Sequence, residues 1–72
     1  MKTKDKLKIS LAAARVNAGY TQDDVAREFK VSKRTIVNWE SGKVIPSLFV
    51  MTALSEYYHI PIENIFLPEK ST

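Results

Sequence analysis

The sequence has no cysteine, a single histidine (His59), two glycines and three prolines in 72 residues. Without cysteine there is neither a disulfide staple nor a thiolate metal site, so stability has to come from ordinary packing. One imidazole cannot build a zinc cluster within one chain. No apolar run approaches the ~18 residues of a membrane span. The opening MKTKDKLK is basic, but the apolar residues after it alternate with polar ones, which is not a secretory signal. A domain this short buries only about 60% of the surface its unfolded chain exposes, which leaves little room for a long cleft. Neither a nucleophile–base–acid set nor a phosphate-binding loop is present, and the adjacent carboxylates Asp23 and Asp24 suit a helix start. The expectation is one cytoplasmic module spanning 1–72, ordered over about 5–67. It uses no cofactor or metal, has no enzymatic activity, acts on no small-molecule substrate and binds no membrane.

What the chain does have is an uneven charge. The net charge is +3. Residues 1–43 hold ten bases against five acids, a net of +5, whereas residues 44–72 hold one base against three acids, a net of −2. One half suits a polyanion and the other suits solvent or protein.

The chain shows no strand alternation between turn dipeptides, and no repeat or linker. Leu7, Leu11, Ala14 and Ala18 recur at helical spacing, which predicts a helix over 3–18 stopped by Gly19. Thr21 with Asp24 three residues on is a capping signature, and it opens a helix over 22–29 with Val25, Ala26 and Phe29 inward. Ser32 caps a third helix over 33–41, with Ile36 and Trp39 or Glu40 inward, and Gly42 ends it. Pro46-Ser47 opens a fourth helix lasting to Tyr58, and residues 62–67 form a closing helical turn after Pro61. The expected fold class is all-α, with five short helices.

Two short helices joined by three residues, the second capped and polar, describe a helix-turn-helix. Ala26 lets the two helices approach, and Val31 and Ile36 plug the angle between them. Lys33, Arg34, Val37 and Asn38 project together on the opposite side, a ridge narrow enough for a DNA major groove about 12 Å wide.

Thr21-Gln22, Ala26, Ile36, Trp39-Glu40 and Gly42-Lys43 fall in the register of T-Q-x-x-[LV]-A, a turn, then x-[ST]-x-x-T-I-x-x-W-E-x-G-K. In these motifs the chain resembles the Cro/phage-repressor class of helix-turn-helix domains, the XRE family. The resemblance covers about residues 6–67. It implies a lambda-repressor-like fold and a small phage or prophage regulator working in the cytoplasm of a bacterial host. Double-stranded operator DNA would be its partner, read by a homodimer or a heteromer with another regulator. Residue by residue, it implies that Gln22 bonds a phosphate and that Ser32, Lys33, Arg34 and Asn38 face base edges. Thr35 would meet a phosphate or a thymine methyl, and Lys43 would grip the strand. It also implies a largely buried ion pair between Arg15 and Glu40; the alternative is an Arg15 that reaches solvent and a phosphate. Two departures stand out: Lys30 occupies a turn position where the family usually has Gly, and His59 replaces a helix-ending Gly. A left-handed conformation there costs a non-Gly residue roughly 1–2 kcal/mol.

The fourth helix is apolar on two sides. Leu48, Met51, Leu54, Ser55 and Tyr58 fall on one, expected to be the core face, and Phe49, Val50, Ala53 and Tyr57 on the other. The second set is a candidate protein interface, with Ile62, Phe66 and Leu67 as further members. Two functions follow. One is a sequence-specific DNA-binding regulator, a repressor of the genetic-switch type. The other is an interaction module that modulates a larger repressor as an anti-repressor or co-repressor, or an antitoxin.

Overall fold

Ser10 sets the entry to the first helix in the computed structural model, which describes residues 8–66. Its hydroxyl accepts from the Ala13 N–H at 3.0 Å, and α1 runs over Leu11–Ala18. The helix therefore starts later than the spacing of Leu7 and Leu11 predicts. Residues 3–7 of that expected helix lie outside the described residues, and Lys8–Ser10 are not helical. Ile9 instead pairs in parallel with Ile65: its N–H donates to Asn64 O at 2.9 Å, and the Phe66 N–H donates to Ile9 O at 3.0 Å. Gly19, at φ +88°, closes α1 in the left-handed region that glycine adopts without strain.

The second helix, α2, runs over Gln22–Phe29 and carries a complete capping box. Asp24 N–H donates to Thr21 Oγ1 at 3.0 Å, and Thr21 N–H donates to Asp24 Oδ2 at 2.8 Å. The Thr21 backbone bond, helped by the Thr21 hydroxyl, holds the Asp24 carboxyl below its ordinary range. Lys30 ends α2 at φ +58°, so a lysine occupies the strained turn position. α3 runs over Lys33–Ser41, capped by the Ser32 hydroxyl at 3.1 Å from Thr35 N and closed by Gly42 at φ +83°. α4 runs over Leu48–Tyr58, capped by Ser47 and ended by His59 at φ +59°, the second non-glycine in the left-handed region.

Over its described residues, 62–66, the expected fifth helix is not an α-helix. Among the described residues there are four α-helices, followed by one 3-10 turn at Ile62–Asn64. Only i→i+3 bonds form, from Asn64 N to Pro61 O at 2.9 Å and from Ile65 N to Ile62 O at 3.1 Å. Ile65 then extends, at φ −111° and ψ 121°, to reach Ile9 and bury its side chain. A helix continued through Ile65 would forfeit both. The class stays all-helical with this single bridge.

The core is Leu11 and Ala14 of α1, Val25 and Ala26 of α2, Ile36 of α3, Met51, Leu54 and Tyr58 of α4, and Ile65. α4 departs from its expected faces in two ways. Leu48, expected inward, is 75% exposed: as the first helical residue it stands beyond the layer that Met51 and Leu54 fill. Tyr57, expected outward, is half-buried under a stacked Tyr20 ring at 4.4 Å and the edge of Phe29 at 5.7 Å. The loop after α1 and the end of α2 thus fold over the second side of α4. Val50 also packs on the core. Among the described residues no helix is long and apolar enough to cross a membrane.

Candidate nucleic-acid interface

The angle between α2 and α3 is built by three residues. Lys30 reverses the chain, and its N–H donates to Ala26 O and Arg27 O. The Val31 N–H donates to Ala26 O at 3.0 Å, which pulls the turn against α2. Val31 packs on the core, Ala26 is buried where α2 meets α3, and Ile36 is 1% exposed beneath them. These contacts fix the orientation of α3 and leave its outer side free.

On that outer side Lys33, Arg34 and Val37 are exposed and Asn38 is half-buried. Asn38 contributes its main-chain carbonyl to the structure, accepting from Val44 N at 3.1 Å and Ser41 Oγ at 3.3 Å. Lys33 Nζ lies 4.0 Å from Asp23 Oδ2, with both side chains more than half exposed. Such a pair contributes little and is readily exchanged for another anion. Ser32 and Thr35 share a hydroxyl–hydroxyl hydrogen bond of 3.0 Å at the start of α3, so both serve its cap. Lys43 is exposed after Gly42, its N–H donating to Ser41 Oγ at 3.4 Å.

Behind this ridge α3 is held by a carboxylate. Arg15 donates from Nε to Glu40 Oε2 at 2.7 Å and from Nη2 to Glu40 Oε1 at 3.3 Å, and from Nη1 to Tyr20 O at 3.0 Å. The two side chains are 14% and 9% exposed. Glu40 Oε1 also accepts from Gln22 Nε2 at 3.0 Å. One carboxylate therefore joins the C-terminal half of α1, the first residue of α2 and the last turn of α3. Tyr58 closes the layer beneath. Burial drives its phenol well above the usual tyrosine range, with Glu40 acting in the same direction and Arg15 opposing. The bond from Gln22 to Glu40 is invisible in the sequence, since no local spacing links residues 18 positions apart. It uses one of two amide hydrogens.

The structure divides the expected protein interface. Val50, Ala53 and Tyr57 are half-buried, whereas Phe49 is 82% exposed and stands out alone on its side of α4. Ile62 and the exposed Phe66 line a separate apolar hollow of about 550 Å³ with Leu48 and Met51, rimmed by Lys8 and Glu63. Leu67 lies outside the described residues.

The profile of the helix-turn-helix family matches residues 11–65, which takes in all four helices and the closing turn. The chain belongs to the XRE-type helix-turn-helix family. As a member of that family it is similar to an uncharacterised HTH-type transcriptional regulator of Methanocaldococcus jannaschii. The two are 39% identical over 49 residues, covering 68% of this chain and 74% of that protein. A second uncharacterised HTH-type transcriptional regulator, from Archaeoglobus fulgidus, is 34% identical over 53 residues, covering 74% of this chain and 76% of that protein. The HTH-type transcriptional activator BcrR of Enterococcus faecalis is 28% identical over 60 residues. That match covers 83% of this chain and 29% of the activator, so this helix-turn-helix chain spans less than a third of it.

Proposed function

We propose that this chain is a sequence-specific DNA-binding transcriptional regulator that lays α3 in the major groove of operator DNA. The observation that carries the reading is one basic, amide-bearing ridge on a helix whose other side is immobilised. Ile36 and the Glu40 carboxylate fix α3 from behind, while Lys33, Arg34 and Asn38 stand on its open side. Arg and Lys donate to guanine O6 and N7, and Asn pairs with the adenine edge. Ser32 and Thr35 serve the entry of the helix into the groove. Lys43 and the second amide hydrogen of Gln22 bond phosphates, which sets register without reading sequence. The related regulators of two archaea and one bacterium support the general reading.

Its finer form is repression by occupying a promoter, in a switch of the phage type, as a dimer on half-sites about 34 Å apart. A second reading is favoured by exposed Leu48, Phe49 and Phe66, 75%, 82% and 46% accessible. In it, these exposed apolar residues, Leu48 and Phe66 at the hollow and Phe49 apart from them, bind another copy or another regulator, as an anti-repressor, co-repressor or antitoxin.

Binding to DNA from upstream of its own gene, followed by fluorescence anisotropy over a salt series, tests the first reading. The association constant should fall with salt by a log–log slope of about 0.9 per phosphate contact. A chain that shows no binding alone, yet retards the DNA once the neighbouring regulator is added, establishes the second reading instead.

A further inference from the structure

Val37 is an apolar residue in the middle of a polar ridge. At about 100° per residue, and taking Lys33 as zero, Val37 lies at about 40°, Arg34 at about 100° and Asn38 at about 140°. It is therefore flanked by the polar residues Lys33 and Arg34, and the buried Ile36 lies about 100° round the helix from it. Val37 is 37% exposed and stands outside the core cluster and its packed fringe. A β-branched residue is also a weaker helix former than Lys, Arg or Ala. Over a third of its surface meets water.

The major groove has one apolar feature among the edges of the base pairs, the C5-methyl of thymine. We propose that Val37 is a specificity-determining residue whose methyls pack on a thymine C5-methyl of the bound operator. This rests on the DNA-reading function above and adds a base preference to it. Lys33, Arg34 and Asn38 select guanine and adenine by hydrogen bonds. Val37 selects thymine over cytosine, because cytosine offers no methyl and presents an amine that an apolar side chain would desolvate without a partner.

The test uses the whole 72-residue chain and DNA duplexes selected by it from a randomised pool. Each thymine of the selected sequence is replaced in turn by deoxyuridine, which removes only the methyl. Burying one methyl corresponds to about a four-fold change in affinity. At one position of the half-site, uracil should weaken binding by about that factor. Val37→Ala should abolish the thymine-to-uracil ratio there while leaving the ratios at other positions unchanged. Val37→Thr, which keeps one methyl, should retain part of it, and it serves equally should Val37→Ala fail to fold. Uracil tolerated at every position, or a uracil penalty as large in both variants as in the wild type, overturns the role of Val37 alone. A pool from which no duplex is retained overturns the DNA-reading function as well.

Discussion

Glu40→Ala removes the acceptor of three hydrogen bonds, two from Arg15 and one from Gln22. The guanidinium that remains keeps the Tyr20 carbonyl as its protein partner, in a site where its side chain is 14% exposed. Stranding one charge of a buried pair costs about 3–5 kcal/mol. The lower end applies here, because Arg15 retains a carbonyl and some contact with solvent, which gives about 3 kcal/mol. A domain of this size is held by about 4–11 kcal/mol in all, so the variant should still fold in the cold. Its Tm should drop by roughly 12–24 °C, at about 4–8 °C per kcal/mol. The assay is a circular-dichroism melt of wild type, Glu40→Ala, Arg15→Met and the double variant. Because Arg15→Met also removes the stranded charge, the double variant should lose less than the sum of the singles, with a coupling of about 1–3 kcal/mol. A loss under about 1 kcal/mol for Glu40→Ala, or strict additivity, would refute the claim that this carboxylate braces α3.

Lys30→Gly and His59→Gly should each stabilise the chain by about 0.5–1 kcal/mol. Each relieves the ~1–2 kcal/mol cost of a left-handed side chain at the expense of unfolded-state entropy; urea midpoints that fall in either variant contradict this. The lowered pKa of Asp24 means that its contribution is complete above the unfolded carboxyl range near 3.8 and is lost as pH falls through the folded value. Asp24→Asn should therefore flatten the dependence of the urea midpoint on pH between about 2 and 5, whereas Thr21→Ala, which keeps the backbone N–H, should flatten it only in part. A curve for Asp24→Asn parallel to that of the wild type would count against the capping box as its cause. On selected DNA, Asn38→Ala should cost about 1–3 kcal/mol and relax one base position, whereas Lys43→Ala should weaken all sequences alike and reduce the salt slope by about 1. Reversal of these two patterns in a competition binding assay would reassign the residues.

The parts of the fold that local chemistry decides were legible from the residues. Thr21 with Asp24, Ser32 and Ser47 mark three helix starts, and Gly19 and Gly42 mark two stops, each through a hydrogen bond or dihedral confined to a few residues. The misplacements share a different origin. The helical spacing of Leu7 and Leu11 reads through Ser10, but Ile9 is claimed by Ile65 from the far end of the described chain. The same pairing extends Ile65 out of the expected fifth helix. Tyr57 looks unpartnered on a helical wheel, and only the path of Tyr20 and Phe29 across α4 covers it. Likewise the ridge on α3 follows from periodicity, whereas the bond of Gln22 to the Arg15–Glu40 pair depends on how three helices meet.

The bridge between Ile9 and Ile65 has a mechanical consequence. Because the two segments run parallel, Lys8 lies at the Asn64 end of the bridge, and Phe66 lies at its Ser10 end. A pull applied at Lys8 and at Phe66 in opposite directions would therefore run along the line of the bridge. Tension between them would load both bridge hydrogen bonds together in shear, instead of peeling one before the other. Ile65, buried at the same point, would have to leave the core before α1 or α4 felt the pull.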